Sequence, residues 1–231
     1  MTDPWPDVDY APTGGTVGEV PRWNERPLDF RLAKRTLDLA IALPLFLLTV
    51  PLQVAIALLI RLDSPGPALF RQPRLTLDGK SFPFLKFRTM CIDSRKRFPH
   101  LYDYRRIVEC GGRAALKQVV DPRLTRVGRW LRRTSLDELP NLLNVIRGEM
   151  SLVGPRPEIP ELLAVYSPEQ LQVFRVKPGM TGLPQVSGRN QLTVAETVAL
   201  DHQYAREVSI RLDLFILYRT IGAVVTGRGA R

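Results

Sequence analysis

Cysteine and histidine are nearly absent: the 231 residues hold only Cys91, Cys110, His100 and His202. That is too little sulfur for a disulfide framework, and the spacing fits no structural metal site. Free thiols in a reducing compartment are expected. No internal repeat and no nucleic-acid-binding motif is present. Acidic residues are also short, 23 against 33 Lys and Arg, leaving a net charge of +10. An excess of that size points to polyanionic surroundings: nucleic acid, an anionic membrane face or phosphorylated substrates. The missing nucleic-acid motif argues against the first.

One long apolar run is present, Leu39 to Ile60, interrupted only by Thr49 and Gln53. It is long enough to cross the ~30 Å hydrocarbon core as a helix. It begins too late and lacks the cleavage site of a signal peptide. Basic residues crowd both flanks, Arg31, Lys34 and Arg35 before it and Arg61, Arg71 and Arg74 after it. Positive charge favours the cytoplasmic side, and here both ends claim it. Pro44 and Pro51 lie inside the run and each removes a helix hydrogen bond. A re-entrant hairpin broken at Pro51 is therefore expected over 30–62, entering and leaving by one face. Residues 1–29, rich in Pro, Gly and acids, read as a poorly ordered tail, and 63–231 as a domain at the membrane surface.

Within that domain, Leu69 to Leu77 and Phe82 to Phe87 flank Asp78-Gly79 and read as a β-hairpin. Arg123, Arg126, Arg129 and Arg132 recur every three residues beside Leu124, Val127 and Leu131, the pattern of a basic amphipathic helix. Residues 193–206 and the apolar stretch 212–225 read as two further helices. The fold class is α+β, mainly helical, with a small sheet and amphipathic helices lying in the membrane interface.

The segment SLDELPNLLNVIRGEMSLVGPRP, 135–157, carries two readings. Ser135 and Glu138 fit a capping box, which makes Asp137 and Glu138 helix-start residues. An ionised Asp is also a nucleophile toward phosphorus, provided cations screen the approach of one anion to another. Arginines in rigid turns, Arg156 in GPRP and Arg189 in SGRN, would supply that screening, as would Lys177 in KPG and Arg88 after the hairpin. A divalent metal such as Mg²⁺ would bridge carboxylate and phosphates.

Taken with Lys34-Arg35…Asp38, DSPGPALFRQPR, LKFRTM, KPGMTGL and LDHQY, these motifs give a chain that resembles the bacterial sugar transferases of the monotopic phosphoglycosyl transferase superfamily, from Phe30 to Gly227. The resemblance implies transfer of a phospho-sugar from a nucleotide diphosphate sugar, usually a UDP-sugar, to polyprenyl (undecaprenyl) phosphate. It implies a covalent phospho-sugar intermediate on Asp137, which also touches Mg²⁺, with Glu138 assisting. Arg156 and Arg189 match phosphate-binding motif positions, and Pro51 matches the family's helix break. Val50 stands where relatives often carry a Ser whose hydroxyl could bond a carbonyl freed at the kink. A bacterial inner-membrane, cytoplasm-facing enzyme opening exopolysaccharide or lipopolysaccharide assembly is the reading, with homodimerisation left open. The competing reading is a non-catalytic membrane-surface scaffold of polysaccharide assembly.

Overall fold

The protein is described by a computed structural model over residues 19–102, 121–188 and 192–226. Its longest element is α1, Leu28–Asp63, a helix of 36 residues. Helical backbone runs uninterrupted through Pro44 and Pro51, so the expected separation into two half-helices is not what forms. Each proline leaves the carbonyl four residues back, Ala40 or Leu47, without its helical donor. Just before Pro51, the Thr49 hydroxyl donates to Leu45 O at 2.7 Å and accepts from Gln53 Nε2 at 3.1 Å. The two polar residues of the apolar run thus bond to each other and to the backbone, which offsets their presence among exposed apolar side chains. The Thr49 hydroxyl bonds Leu45 O and Phe46 O rather than the Leu47 carbonyl that Pro51 frees, so it does not replace the hydroxyl that Val50 lacks.

The two ends of α1 sit on the same body. Ala42, in the N-terminal half, packs with Leu142 and Val145, and Ile56 and Ile60, in the C-terminal half, pack with Phe87 and Leu131. Between them Leu47 and Leu48 are 62% and 79% exposed. This is the one helix among the described residues long and apolar enough to cross a membrane by length and composition.

The hairpin forms as the Asp78-Gly79 signal predicts. Strands β1, Leu69–Leu75, and β2, Ser81–Phe87, pair antiparallel with Leu69 opposite Phe87 and Leu75 opposite Ser81. Asp78 and Gly79 both take positive φ, 55° and 70°. A second pair, β3 (Ser151–Val153) and β4 (Gly179–Thr181), is parallel. Around these lie α2 (Ser94–Arg97), α3 (Arg126–Thr134), α4 (Asn141–Arg147), α5 (Pro168–Leu171), α6 (Leu183–Ser187), α7 (Val194–Glu207) and α8 (Ile210–Thr226). The architecture is mainly helical with two small sheets.

A buried polar network holds α1 to this body. Lys34 Nζ lies 2.6 Å from Asp213 Oδ2 and donates to Ser151 Oγ at 2.7 Å and Val153 O at 3.1 Å. Asp38 Oδ1 accepts from Ser151 Oγ and Leu152 N, and Tyr204 OH donates to Asp213 Oδ1 at 2.7 Å. Each buried charge therefore has a partner, the condition for tolerating charge in a core. Arg35 donates to Val145 O and Ile146 O at the C-terminal end of α4, where Val145 O also accepts from Gly148 N. The segment before α1, read as tail, also packs: Val20 is fully buried, its N–H donates to Gln172 Oε1, and Arg175 pairs with Glu19 at 2.8 Å.

Candidate active site

The dyad lies between α3 and α4, on a turn that the arginine helix creates. Thr125 caps α3 by accepting from Gly128 N, and the helix ends at Ser135, which adopts φ 57°. That left-handed residue reverses the chain, so Ser135 ends one helix rather than capping the next, and the capping box does not form. Leu136–Glu138 make a 3-10 turn, Leu139 and Pro140 stay helical, and α4 starts at Asn141. Pro140 falls where the tighter turn closes, so its missing N–H disrupts no bond.

Asp137 is 8% exposed, and Glu138 beside it is partly open. Burial, then the Glu138 charge, push the Asp137 carboxyl above the usual range, while Lys86, Arg132 and Arg156 pull it down. Lys86 is pushed down to about 8, by burial first and then by Arg132, with the Asp137 carboxylate opposing. Three cations thus surround two carboxylates. Arg156 pairs with Glu138 Oε1 at 3.5 Å, long enough to be loose, and Glu138 holds its guanidinium firmly charged.

Two tight backbone approaches position these cations. At Gly128 an added Cβ would lie 2.0 Å from Thr89 O, so only glycine lets α3 press on the end of β2. That contact aims Arg132 inward, where its Nε donates to Thr89 Oγ1 at 3.2 Å. At Gly179 an added Cβ would lie 2.0 Å from Gly154 N. Gly154 N in turn donates to Thr181 O at 2.9 Å, which fixes the strand end leading into Pro155-Arg156.

The other sequence candidates sit elsewhere or outside the described residues. Arg88 turns to the end of α1, donating to the carbonyls of Pro65 and, at 2.8 Å, Ser64. Lys177 lies over the Trp23 ring, 6.0 Å from its centroid, and near Arg35. Neither joins the dyad. Arg189 lies outside the described residues. The period-3 arginines split: Arg126 and Arg129 are exposed, whereas Arg123 is buried against Asp121 and Arg132 reaches the dyad.

Sequence reasoning missed Lys86 and Arg132. Lys86 shares a pleat row with Phe82 and Phe84, so a cation on an inward-facing row was the readable signal. Arg132 lies four residues from the buried Gly128 and shares its face. Among the described residues no group of three His, Cys, Asp or Glu is placed to hold a metal. Magnesium commonly takes one or two carboxylates and completes its shell with water and phosphate. The Asp137–Glu138 pair fits that need.

The family described as bacterial sugar transferase matches residues 30–227. The exopolysaccharide production protein ExoY of Rhizobium meliloti is 41% identical over 199 residues, 86% of this chain and 88% of that protein. The UDP-glucose:undecaprenyl-phosphate glucose-1-phosphate transferase of Caulobacter vibrioides is 43% identical over 203 residues, 84% of this chain and 70% of its own length. The UDP-galactose-lipid carrier transferase of Erwinia amylovora is 41% identical over 200 residues, 87% of this chain but 42% of its own, so this chain spans under half of that relative.

Proposed function

The chain belongs to the bacterial sugar transferase family, and we propose that it transfers a sugar 1-phosphate from a UDP-sugar to polyprenyl phosphate at a membrane surface. The observation that carries this reading is the Asp137–Glu138 pair set among Lys86, Arg132 and Arg156, beside a helix whose middle is apolar and exposed. Phosphate chemistry and a lipid acceptor need those two environments next to each other.

In the first step an Asp137 oxygen attacks the phosphorus that bears the sugar. A P–O bond forms, the bond to the UMP phosphate breaks, and UMP leaves with its electron pair. In the second step an oxygen of polyprenyl phosphate attacks the same phosphorus and Asp137 is released, giving polyprenyl-diphospho-sugar. Lys86 and Arg132 neutralise the donor diphosphate as it nears the carboxylate. Arg156 pairs with Glu138, and Glu138 accepts the acceptor's proton when that phosphate arrives protonated. Magnesium bound at Asp137 would neutralise the phosphate oxygens and favour UMP departure.

The exposed middle of α1 would lie in the bilayer. Its two ends seat on one body, which supports re-entry from a single face. The test is UMP release from a panel of UDP-sugars with undecaprenyl phosphate and Mg²⁺. Release with at least one sugar, abolished in Asp137→Asn, is expected. Release from no UDP-sugar, or equal release by the variant, contradicts the reading.

A further inference from the structure

Between the β1–β2 hairpin and α4 lies a cavity of about 200 Å³, lined by Leu69, Arg71, Pro83, Leu85, Leu143 and Arg147. Arg71 stands opposite Leu85 in the strand register, and Leu69 and Pro83 are two residues from them, so these four share one face of the hairpin. Leu143 and Arg147, four apart on α4, form the facing wall. Lys86, which attends Asp137, stands opposite Phe70 on the other face of the hairpin, its Nζ 5.5 Å from that ring's centroid.

The cavity joins apolar surface to unpaired positive charge. Leu85 is buried, whereas Arg71 and Arg147 are exposed, and neither guanidinium has a hydrogen bond or ion pair with a described residue. A lone surface arginine left to water is ordinary. Two that line one apolar cavity from opposite walls match a ligand with a phosphate at one end and a hydrocarbon chain at the other. A cavity of about 150 Å³ with aliphatic walls already takes up a benzene-sized molecule, so a stretch of acyl chain fits here. Two cations with no acid beside them favour a headgroup of net negative charge, because the ammonium of a zwitterionic lipid would face like charge.

The walls are also the elements that seat α1. Phe87 of β2 packs with Ile56 and Ile60, and Leu142 and Val145 of α4 pack with Ala42. The exposed apolar middle of α1 runs from one seat to the other. Resting on the bilayer reading of α1, we propose that this cavity is a phospholipid site. Arg71 and Arg147 bond the phosphate of an anionic headgroup, and the acyl chain lies against Leu69, Leu85 and Leu143. The acceptor's phosphate is not the group held here, since it must reach the hairpin face that carries Lys86. The bound lipid ties the hairpin to the bilayer and takes no part in the reaction.

The test places the full-length protein in nanodiscs of phosphatidylcholine mixed with phosphatidylglycerol and reads the lipid it retains by native mass spectrometry. The wild type is expected to retain phosphatidylglycerol over phosphatidylcholine. Arg71→Gln with Arg147→Gln should lower that retention about 30-fold, the effect of two arginines near an anionic surface, and keep the wild-type rate of UMP release in detergent. Leu143→Trp, which fills the cavity and leaves both charges, should lose the lipid as well. Arg129→Gln, on the exposed face of α3, should retain it. Equal retention by the double variant, an equal loss in Arg129→Gln, or no preference over phosphatidylcholine overturns the proposal. Slowed UMP release in the double variant, or displacement of the retained lipid by undecaprenyl phosphate, assigns the cavity to the substrates and overturns it too. If Leu143→Trp fails to fold, the double variant, changed only at exposed side chains, decides alone. A wild type that associates with no bilayer of either lipid contradicts the bilayer reading instead.

Discussion

At Lys86 and Asp137 the titrations set limits on activity from opposite sides. Asp137 must be ionised to attack, and burial raises its carboxyl, so kcat/KM should fall as pH drops toward that raised value. Lys86 is charged below about 8 and neutral above it in the free protein. The arriving diphosphate then meets one cation fewer, so kcat/KM should fall again as pH rises through about 8. Lys86→Arg keeps the charge at every working pH. It should push the alkaline limb upward, and an unmoved limb near 8 would assign it to another group. At Glu138 the loose Arg156 contact predicts a milder outcome: Glu138→Gln should retain labelling by donor while slowing transfer to lipid, read by single-turnover kinetics with each substrate in turn.

At the scale of elements, helix contacts rather than helix propensities place the chemistry. Gly128→Ala should force α3 away from Thr89 and lower turnover by about 10²-fold, while Arg129→Ala, on the exposed face, should leave soluble donor KM unchanged. The α1 anchor gives a stability prediction. Lys34→Met leaves Asp213 charged and buried, a loss of about 3–5 kcal/mol. Lys34→Met with Asp213→Leu should recover part of that loss in thermal melts. These elements also show what the sequence could and could not disclose. The hairpin was legible because Asp78-Gly79 accepts positive φ, and α7 because its apolar periodicity survives. The turn at Ser135 was not, because a Ser–Glu spacing suits a capping box and only the end of α3 shows that the serine is left-handed. Arg156 was legible from its proline-flanked turn. Lys86 and Arg132 were not, since their roles depend on how β2, α3 and the dyad turn meet. Arg88 looked equivalent to Arg156 in sequence, yet the Ser64 and Pro65 carbonyls just past α1 claim it.

For the whole molecule, the net charge of +10 and the exposed apolar middle of α1 are the two features that support the proposed bilayer partner. Single cysteines at positions 31 and 63, in a background lacking Cys91 and Cys110, should be labelled from the same side of sealed vesicles. Labelling from opposite sides would make α1 a span. The central claim is the covalent step, and intact-protein mass spectrometry after incubation with UDP-sugar and Mg²⁺, without lipid, tests it most directly. Using the sugar that supports turnover, the wild type should gain the mass of one phospho-sugar and lose it when undecaprenyl phosphate is added, while Asp137→Asn should gain nothing. A wild type that turns over without ever carrying that mass, or an Asp137→Asn variant that carries it too, would contradict the account.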